Sequence, residues 1–386
     1  MMKTLFITRH YLDQNNGGAI GARAYLDAFA SLSCECTLIY PNHKGLNIDN
    51  YTPDNVKTVS CDDLRMKWRK GLDIYRGILH RFNDFVDKYL SVNHNFDICV
   101  LDHSILGLHL IDIIRKHTNS KIITIHCNVE KQYNKDNPVI LPLRIPYTKF
   151  IEKAELTALK GSDLNLTVTH EDAVCFRSWN LGKDVSNSIE YWGTFEYKKT
   201  HPIYTQHSLK YKNFIISGSL NFPQTENAIF DFFNEYYDIL KGTVNDCTLT
   251  ITGRNPSERL RKKILSYASS VRLIPNPCDI YDVIKNGDVY ICPVSGGSGV
   301  KLRIMDGLKL GLPILCHKNS ACGYETIAAG KGLFSYSNQK SFKYSLNNLI
   351  NSQLDSDYIY QLYKSRFSFE AGKNRLEKIL KERNFL

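Results

Sequence analysis

The 386-residue chain contains no run of 18 apolar residues, which excludes a membrane-crossing helix. Its opening stretch breaks off after Leu5-Phe6-Ile7, too short for the core of a secretory signal. No C-x-x-C pair occurs among the 11 cysteines, an odd number scattered along the chain. That spacing argues against a zinc site or a disulfide framework. Cys99 and Cys292 sit inside apolar runs and read as buried thiols in a reducing, cytoplasmic compartment. There is no repeat of fixed period and no low-complexity tract, so solenoids and disordered tails are excluded. No RNP-like or helix-turn-helix pattern is visible, which removes nucleic acid as a partner.

What is present is a globular balance, 43% hydrophobic and 23% charged. At ~150 residues per domain, the length suits two or three domains. Lys and Arg number 49 against 39 Asp and Glu, a net charge of +10, which favours anionic partners without choosing one.

Short apolar or β-branched runs alternate with longer helical stretches. In the first half the runs are Leu5–Thr8, Cys36–Tyr40, Ile98–Asp102, Ile122–His126 and Leu164–Val168. The pattern loosens around 190–212, where Lys198-Lys199-Thr200-His201-Pro202 reads as a linker. It resumes with Asn213–Gly218, Thr248–Gly253, Val271–Pro275, Val289–Pro293 and Pro313–Cys316. Continuously apolar strands separated by helices indicate parallel sheets covered on both faces. The reading is therefore α/β, with two Rossmann-like, doubly wound domains facing a cleft. The boundaries expected are 1–193 and 194–365. Ligands bind such sheets at the carboxyl ends of the strands.

Residues 293–314 carry the most information. A strand ends at Pro293, and Ser295-Gly296-Gly297-Ser298-Gly299 is a glycine-rich turn. A helix is expected from about Val300 to Leu310, ended by Gly311 and Pro313. Lys301 and Arg303 would lie in its first turn, where the helix dipole disfavours cations. A docked phosphate would reverse that sign. The plainer alternative is a solvated first turn with Arg303 and Asp306 paired at i, i+3.

The run from Gly297 to Leu308, closed by Gly311-Leu312-Pro313-Ile314, resembles the donor segment of GT-B glycosyltransferases of the large family 4 type. That family carries a Glu-x7-Glu pair here. The second acid, which holds the ribose, falls on Asp306. The first, which contacts the donor sugar, falls on Ser298, a departure. Ile215 to Asn227 resembles the first donor-domain strand and its glycine turn, placing Gly218 and Ser219 at the donor. The family's Arg and Lys after that glycine are absent from 219–227, and Lys301 and Arg303 would substitute. Val271–Pro277 with Ile280–Ile284 resembles the strand and helix facing the nucleotide base. Asn15-Asn16-Gly17-Gly18 is similar to the N-terminal glycine turn. His126, followed by Asn128-Val129-Glu130, resembles a His-Asn-x-Glu segment with Cys127 inserted.

The resemblance implies a retaining enzyme moving a sugar from a nucleotide-sugar to a glycan or lipid-linked acceptor, in bacterial surface polysaccharide synthesis. It implies catalytic roles for His126, Lys301 and Arg303. Donor binding would use Gly218, Ser219, Ser298, Gly299, Val300 and Asp306, and the acceptor side Gly17, Gly18 and Glu130. No cofactor and no metal are expected, and the C-terminal helix, about 366–386, should pack on the first domain. A catalytically weak scaffold and a sugar-nucleotide epimerase on the same fold stay open.

Other residues have plainer alternatives. His126 could be satisfied at a strand end, Glu130 an ordinary first-turn acid, and Gly17-Gly18 a simple turn. Asp355-Ser356-Asp357 reads as a helix cap, not a metal motif. Two basic-aromatic stretches, Arg65 to Phe82 and Pro142 to Lys149, fit either a core-facing helix or contact with an anionic membrane at the inner face.

Overall fold

The apolar runs form two all-parallel sheets. The structure, a computed structural model, describes residues 2–14, 16–61, 80–136, 144–198, 204–267, 269–297 and 299–386. Ser298, Asn15, residues 65–79, Pro142-Leu143 and residues 199–203 of the expected linker lie outside the described residues. The chain divides into two compact units, Met1–Lys198 with Ser368–Leu386, and Lys199–Phe367.

In the first unit the strands are β1 (Lys3–Thr8), β2 (Glu35–Pro41), β3 (Val56–Cys61), β4 (Ile98–Asp102), β5 (Lys121–His126), β6 (Leu164–Thr167) and β7 (Ile189–Tyr191). Their order is β3-β2-β1-β4-β5-β6-β7. The order of strand addition reverses between β1 and β4, so this is the switch point, with Ile7 beside both Ile39 and Leu101. Successive β1 side chains serve opposite faces. Leu5 and Ile7 join a core with Leu101 and Ile122, while Phe6 lies 6.2 Å from Phe29 of the helix Gly17–Leu32. Both faces being covered explains why the run is continuously apolar.

The helix Phe369–Glu382 belongs to this unit. The Trp192 indole donates to Gly372 O at 2.9 Å, and Arg375 donates to Trp192 O at 2.7 Å and Thr194 O at 3.1 Å. On the helix Arg144–Gly161, Arg144 and Ile145 are exposed. Phe82, from the other basic-aromatic stretch, is buried.

The second unit holds β8 (Asn213–Ser219), β9 (Thr248–Arg254), β10 (Val271–Pro275), β11 (Val289–Cys292), β12 (Ile314–His317) and β13 (Leu333–Tyr336). Their order is β10-β9-β8-β11-β12-β13, which puts the switch point between β8 and β11. Phe214 and Ile216 face one core and Ile215 the other. Asp355 caps the helix Ser356–Arg366 by accepting from Asp357 N at 3.0 Å, so the D-x-D spelling is a helix start. No helix among the described residues is long and apolar enough to cross a membrane.

Candidate active site

In each unit, polar side chains gather where the strand order reverses, the place where open parallel sheets bind ligands. In the second unit, β8 runs out through Gly218, at φ 153°, to the exposed Ser219. β11 runs into the glycine-rich turn. Side chains hold the turn's carbonyls one after another. Ser320 Oγ donates to Val294 O at 2.7 Å, Asn319 Nδ2 to Ser295 O at 2.5 Å, and Gln224 Nε2 to Gly296 O at 2.6 Å. Tyr324 donates to Lys301 O at 3.1 Å. Each such bond contributes about 0.5–1.5 kcal/mol, so together they pin one loop conformation.

The expected helix starts late, which corrects the placement of Lys301. Gly297 at φ 76° and Gly299 at φ 83° keep the chain out of helical geometry, and the helix is only Arg303–Leu308. Lys301 lies before it. Its buried ammonium bonds to Gly297 O at 2.9 Å and Gly299 O at 3.0 Å, and burial pushes its pKa down. Lys301 thus braces the turn that was expected to share it with a phosphate.

Arg303 opens the helix and reaches the end of β8. It donates to Ser217 O at 3.3 Å and Thr225 Oγ1 at 3.1 Å. A Cβ at Gly218 would lie 2.5 Å from its Nη1. Arg303, Gly218 and the turn are therefore assembled together. Asp306 does not take Arg303 in the i, i+3 pair considered above. Its Oδ1 accepts from Tyr281 Oη at 3.1 Å and lies 3.2 Å from Lys309 Nζ. Val300 packs against Gly323, 2.7 Å from where a Cβ would stand.

In the first unit, the switch point joins Thr8 to Asp102, Oγ1 to Oδ2 at 2.6 Å. Burial holds Asp102 up to about 6, and its Oδ1 has no partner among the described residues. His103 follows at φ 109°, a strained conformation for a side-chain-bearing residue. Its Nδ1 accepts from Ile105 N at 3.2 Å, so Nε2 carries the proton directed at Glu130 Oε1, 3.2 Å away. Burial works against the Glu130 carboxylate, but His103, a hydrogen bond from Asn128 and the Arg9 charge outweigh it and hold Glu130 down to about 2. Glu155 caps the helix Glu130–Asp136, accepting from Glu130 N at 2.6 Å.

His126 ends β5 fully buried, its ring 4.8 Å from Phe176. Asn165 spends both amide protons on Leu159 O and Ser188 Oγ, so its Oδ1 accepts from His126 Nε2 at 2.9 Å. Nδ1 is then the unprotonated nitrogen, buried without a partner among the described residues. Burial takes the imidazole down to about 4, so it is neutral near pH 7. Gly18 lies against His10, where a Cβ would come 2.5 Å from the ring; Gly17 opens the first helix, with nothing among the described residues within 4 Å of where its Cβ would stand.

Sequence reasoning missed His10, Asp102 and His103, although each ends or follows a strand, the same signal that marked His126. It also missed Gln224 and Lys309. Lys309 had a signal of its own, a lysine between Leu308 and Leu310.

Residues 211–352 match the family model described as glycosyl transferases group 1. No curated protein matches the chain. Among solved structures, it is similar to the lipopolysaccharide outer core galactosyltransferase WaaB in its apo form, at 12% identity and TM-score 0.66, covering 99% of this chain and 100% of that one. S. aureus TarM (a mutant form in complex with Fondaparinux, alpha-GlcNAc-glycerol and UDP) aligns at 10% identity and TM-score 0.67, over 100% of each chain. Anabaena Alr3699/HepE in complex with UDP and glucose aligns at 10% identity and TM-score 0.63, over 99% of this chain and 100% of that one. The chain has the two-sheet GT-B fold of these solved structures, and residues 211–352, within its second unit, match the model described as glycosyl transferases group 1.

Proposed function

We propose that this chain is a retaining glycosyltransferase that moves a sugar from a nucleotide-sugar to a glycan or lipid-linked acceptor in bacterial surface polysaccharide synthesis. The observation that carries this is the junction of Arg303, Gly218 and the side-chain-pinned glycine turn at the β8/β11 switch point. A guanidinium beside a glycine, with no side chain between it and the strand end, suits a pyrophosphate. The donor diphosphate lies along the Gly299–Lys301 backbone with Arg303 against it. Arg303 stabilises the charge that builds on the leaving group, and the pinned turn needs no rearrangement to do so. Lys301 acts on the turn and Asp306 on the ribose. His126 keeps a part in the chemistry as a neutral acceptor through Nδ1, not as a source of positive charge. Gly17, Gly18 and Glu130 belong to the acceptor side. Ser219 and Val300 flank the donor, and Ser298 offers a hydroxyl where the resemblance places an acid.

UDP in the TarM and HepE structures supports a UDP-sugar as the first donor to test. Arg303 takes the charge-stabilising role a divalent ion would have, and the reaction proposed here is metal-independent. The exposed Ile145 beside Arg144, with the +10 charge, supports peripheral contact with an anionic membrane at the cytoplasmic face.

The test is product formation from a panel of UDP-, GDP- and ADP-sugars with lipid-linked and glycan acceptors, with the anomeric configuration read by NMR. Transfer with retention supports the reading. Nucleotide binding without product would indicate a scaffold. Conversion of the donor with no acceptor present would indicate an epimerase.

A further inference from the structure

We propose that Lys309 and Tyr281 are positioning residues that set the Asp306 carboxylate for the ribose hydroxyls of a bound nucleotide. The inference rests on the donor-site reading above and adds two residues to it.

Three groups from two segments close on one another. Tyr281 begins the short helix Tyr281–Ile284, and its amide is held by Asp279 Oδ1 at 2.9 Å. Asp306 lies inside the helix Arg303–Leu308, and Lys309 caps its end, its backbone N–H donating to Met305 O at 2.9 Å. Lys309 Nζ is 2.7 Å from Tyr281 Oη, 3.2 Å from Asp306 Oδ1 and 4.4 Å from the centre of the Tyr281 ring. The phenol donates to the same Oδ1 at 3.1 Å. The proton order follows: the ammonium can only donate, so it donates to the phenol oxygen, and the phenol proton goes to the carboxylate. Two donors on one oxygen fix the plane of the carboxylate.

Burial sets the direction of action. The Lys309 side chain is 2% exposed, whereas Asp306 is 24% exposed. A ligand in the site meets the carboxylate, and Lys309 acts through it. The neighbours of Lys309 in sequence, Leu308 and Leu310, belong to an apolar core. Methionine would fill such a place without desolvating an ammonium, and buried ion pairs are seldom the more stable choice. A charge retained there is explained by the carboxylate it orients.

The experiment is calorimetric titration of the full chain with UDP and with 2′,3′-dideoxy-UDP, for wild type, Lys309→Met and Tyr281→Phe. Wild type should prefer the ribose form by about tenfold or more, as sites built to bond a hydroxyl do. Lys309→Met should bring that preference to within about threefold, with affinity for the dideoxy form nearly unchanged. Tyr281→Phe should lie between. A purely structural role would weaken both ligands alike. Variants that retain the full ribose preference overturn the proposal, and Tyr281→Phe decides alone if Lys309→Met does not fold. Wild type that binds both forms equally, or neither, would overturn the donor-site reading itself, and this inference with it.

Discussion

Arg303 lies across Gly218 so closely that a methyl group on residue 218 would stand 2.5 Å from its Nη1. The φ of 153° at Gly218 adds backbone strain for any other residue. Gly218→Ala should therefore displace the guanidinium and weaken UDP binding by about tenfold, roughly 1.4 kcal/mol. Calorimetry measures this, and unchanged affinity would mean that the phosphate does not meet Arg303 here.

Removing the guanidinium should affect turnover more than binding. Loss of one preorganised donor to a developing charge costs about 10²–10³ in turnover. Arg303→Ala should fall in that range with an unchanged circular dichroism spectrum. Thr225→Val, which removes only the partner of Nη2, should lose less. Near-normal turnover of purified Arg303→Ala would remove it from the site.

If Arg303 and the turn carry the charge of the leaving group, chelation should leave the rate unchanged. Initial rates in excess EDTA and in added magnesium should agree within twofold, about 0.4 kcal/mol in barrier. A rate that vanishes with EDTA and returns with a divalent ion would contradict metal independence.

The first unit predicts a pH dependence with two limbs. Burial raises Glu155 from 4.5 to about 8, against hydrogen bonds from the Glu130 and Lys131 amides. Between these values the unfolded chain has released a proton that the folded chain keeps, so stability falls as pH rises through the window. Burial lowers His126 from 6.5 to about 4. There the unfolded chain takes up the proton first, so stability falls as pH drops below 6.5. Glu155→Gln should flatten the alkaline limb of a melting-temperature profile and leave the acid limb in place. An unaltered alkaline limb would show that Glu155 is ionised in the folded state.

Arg375 ties the C-terminal helix to the first unit through Trp192 O and Thr194 O. Arg375→Ala leaves both carbonyls short of a donor and should cost about 2 kcal/mol. A lower unfolding midpoint in urea measures this. An unchanged midpoint would show that the two guanidinium bonds do not hold the helix in place.

Ten strands were legible as short apolar or β-branched runs, most of them covered on both faces; the edge strand β10, with Arg272 and Ile274 exposed, is legible without that cover. β3, β7 and β13 were not. All three are sheet edges, and β3 mixes Lys57, Thr58 and Ser60 with its valines. β7 has only three residues and β13 only four. Edge strands face a neighbour on one side only and have less need of the apolar signal. At the site, the glycine turn and Arg303 were legible as local sequence. The partners of Arg303 were not, since Ser217 lies 86 residues away and only the β8/β11 pairing brings it near. The inward turn of Lys301 depends on the positive φ of Gly297 and Gly299, which shortens the helix that local pattern extends to Val300.

The decisive measurement is a crystal structure of the chain with UDP bound. The pyrophosphate should lie on the Gly299–Lys301 turn within hydrogen-bond reach of Arg303, and the ribose on Asp306. UDP seated on other residues, with Arg303 still bonded to Ser217 and Thr225 and the turn vacant, would contradict that placement.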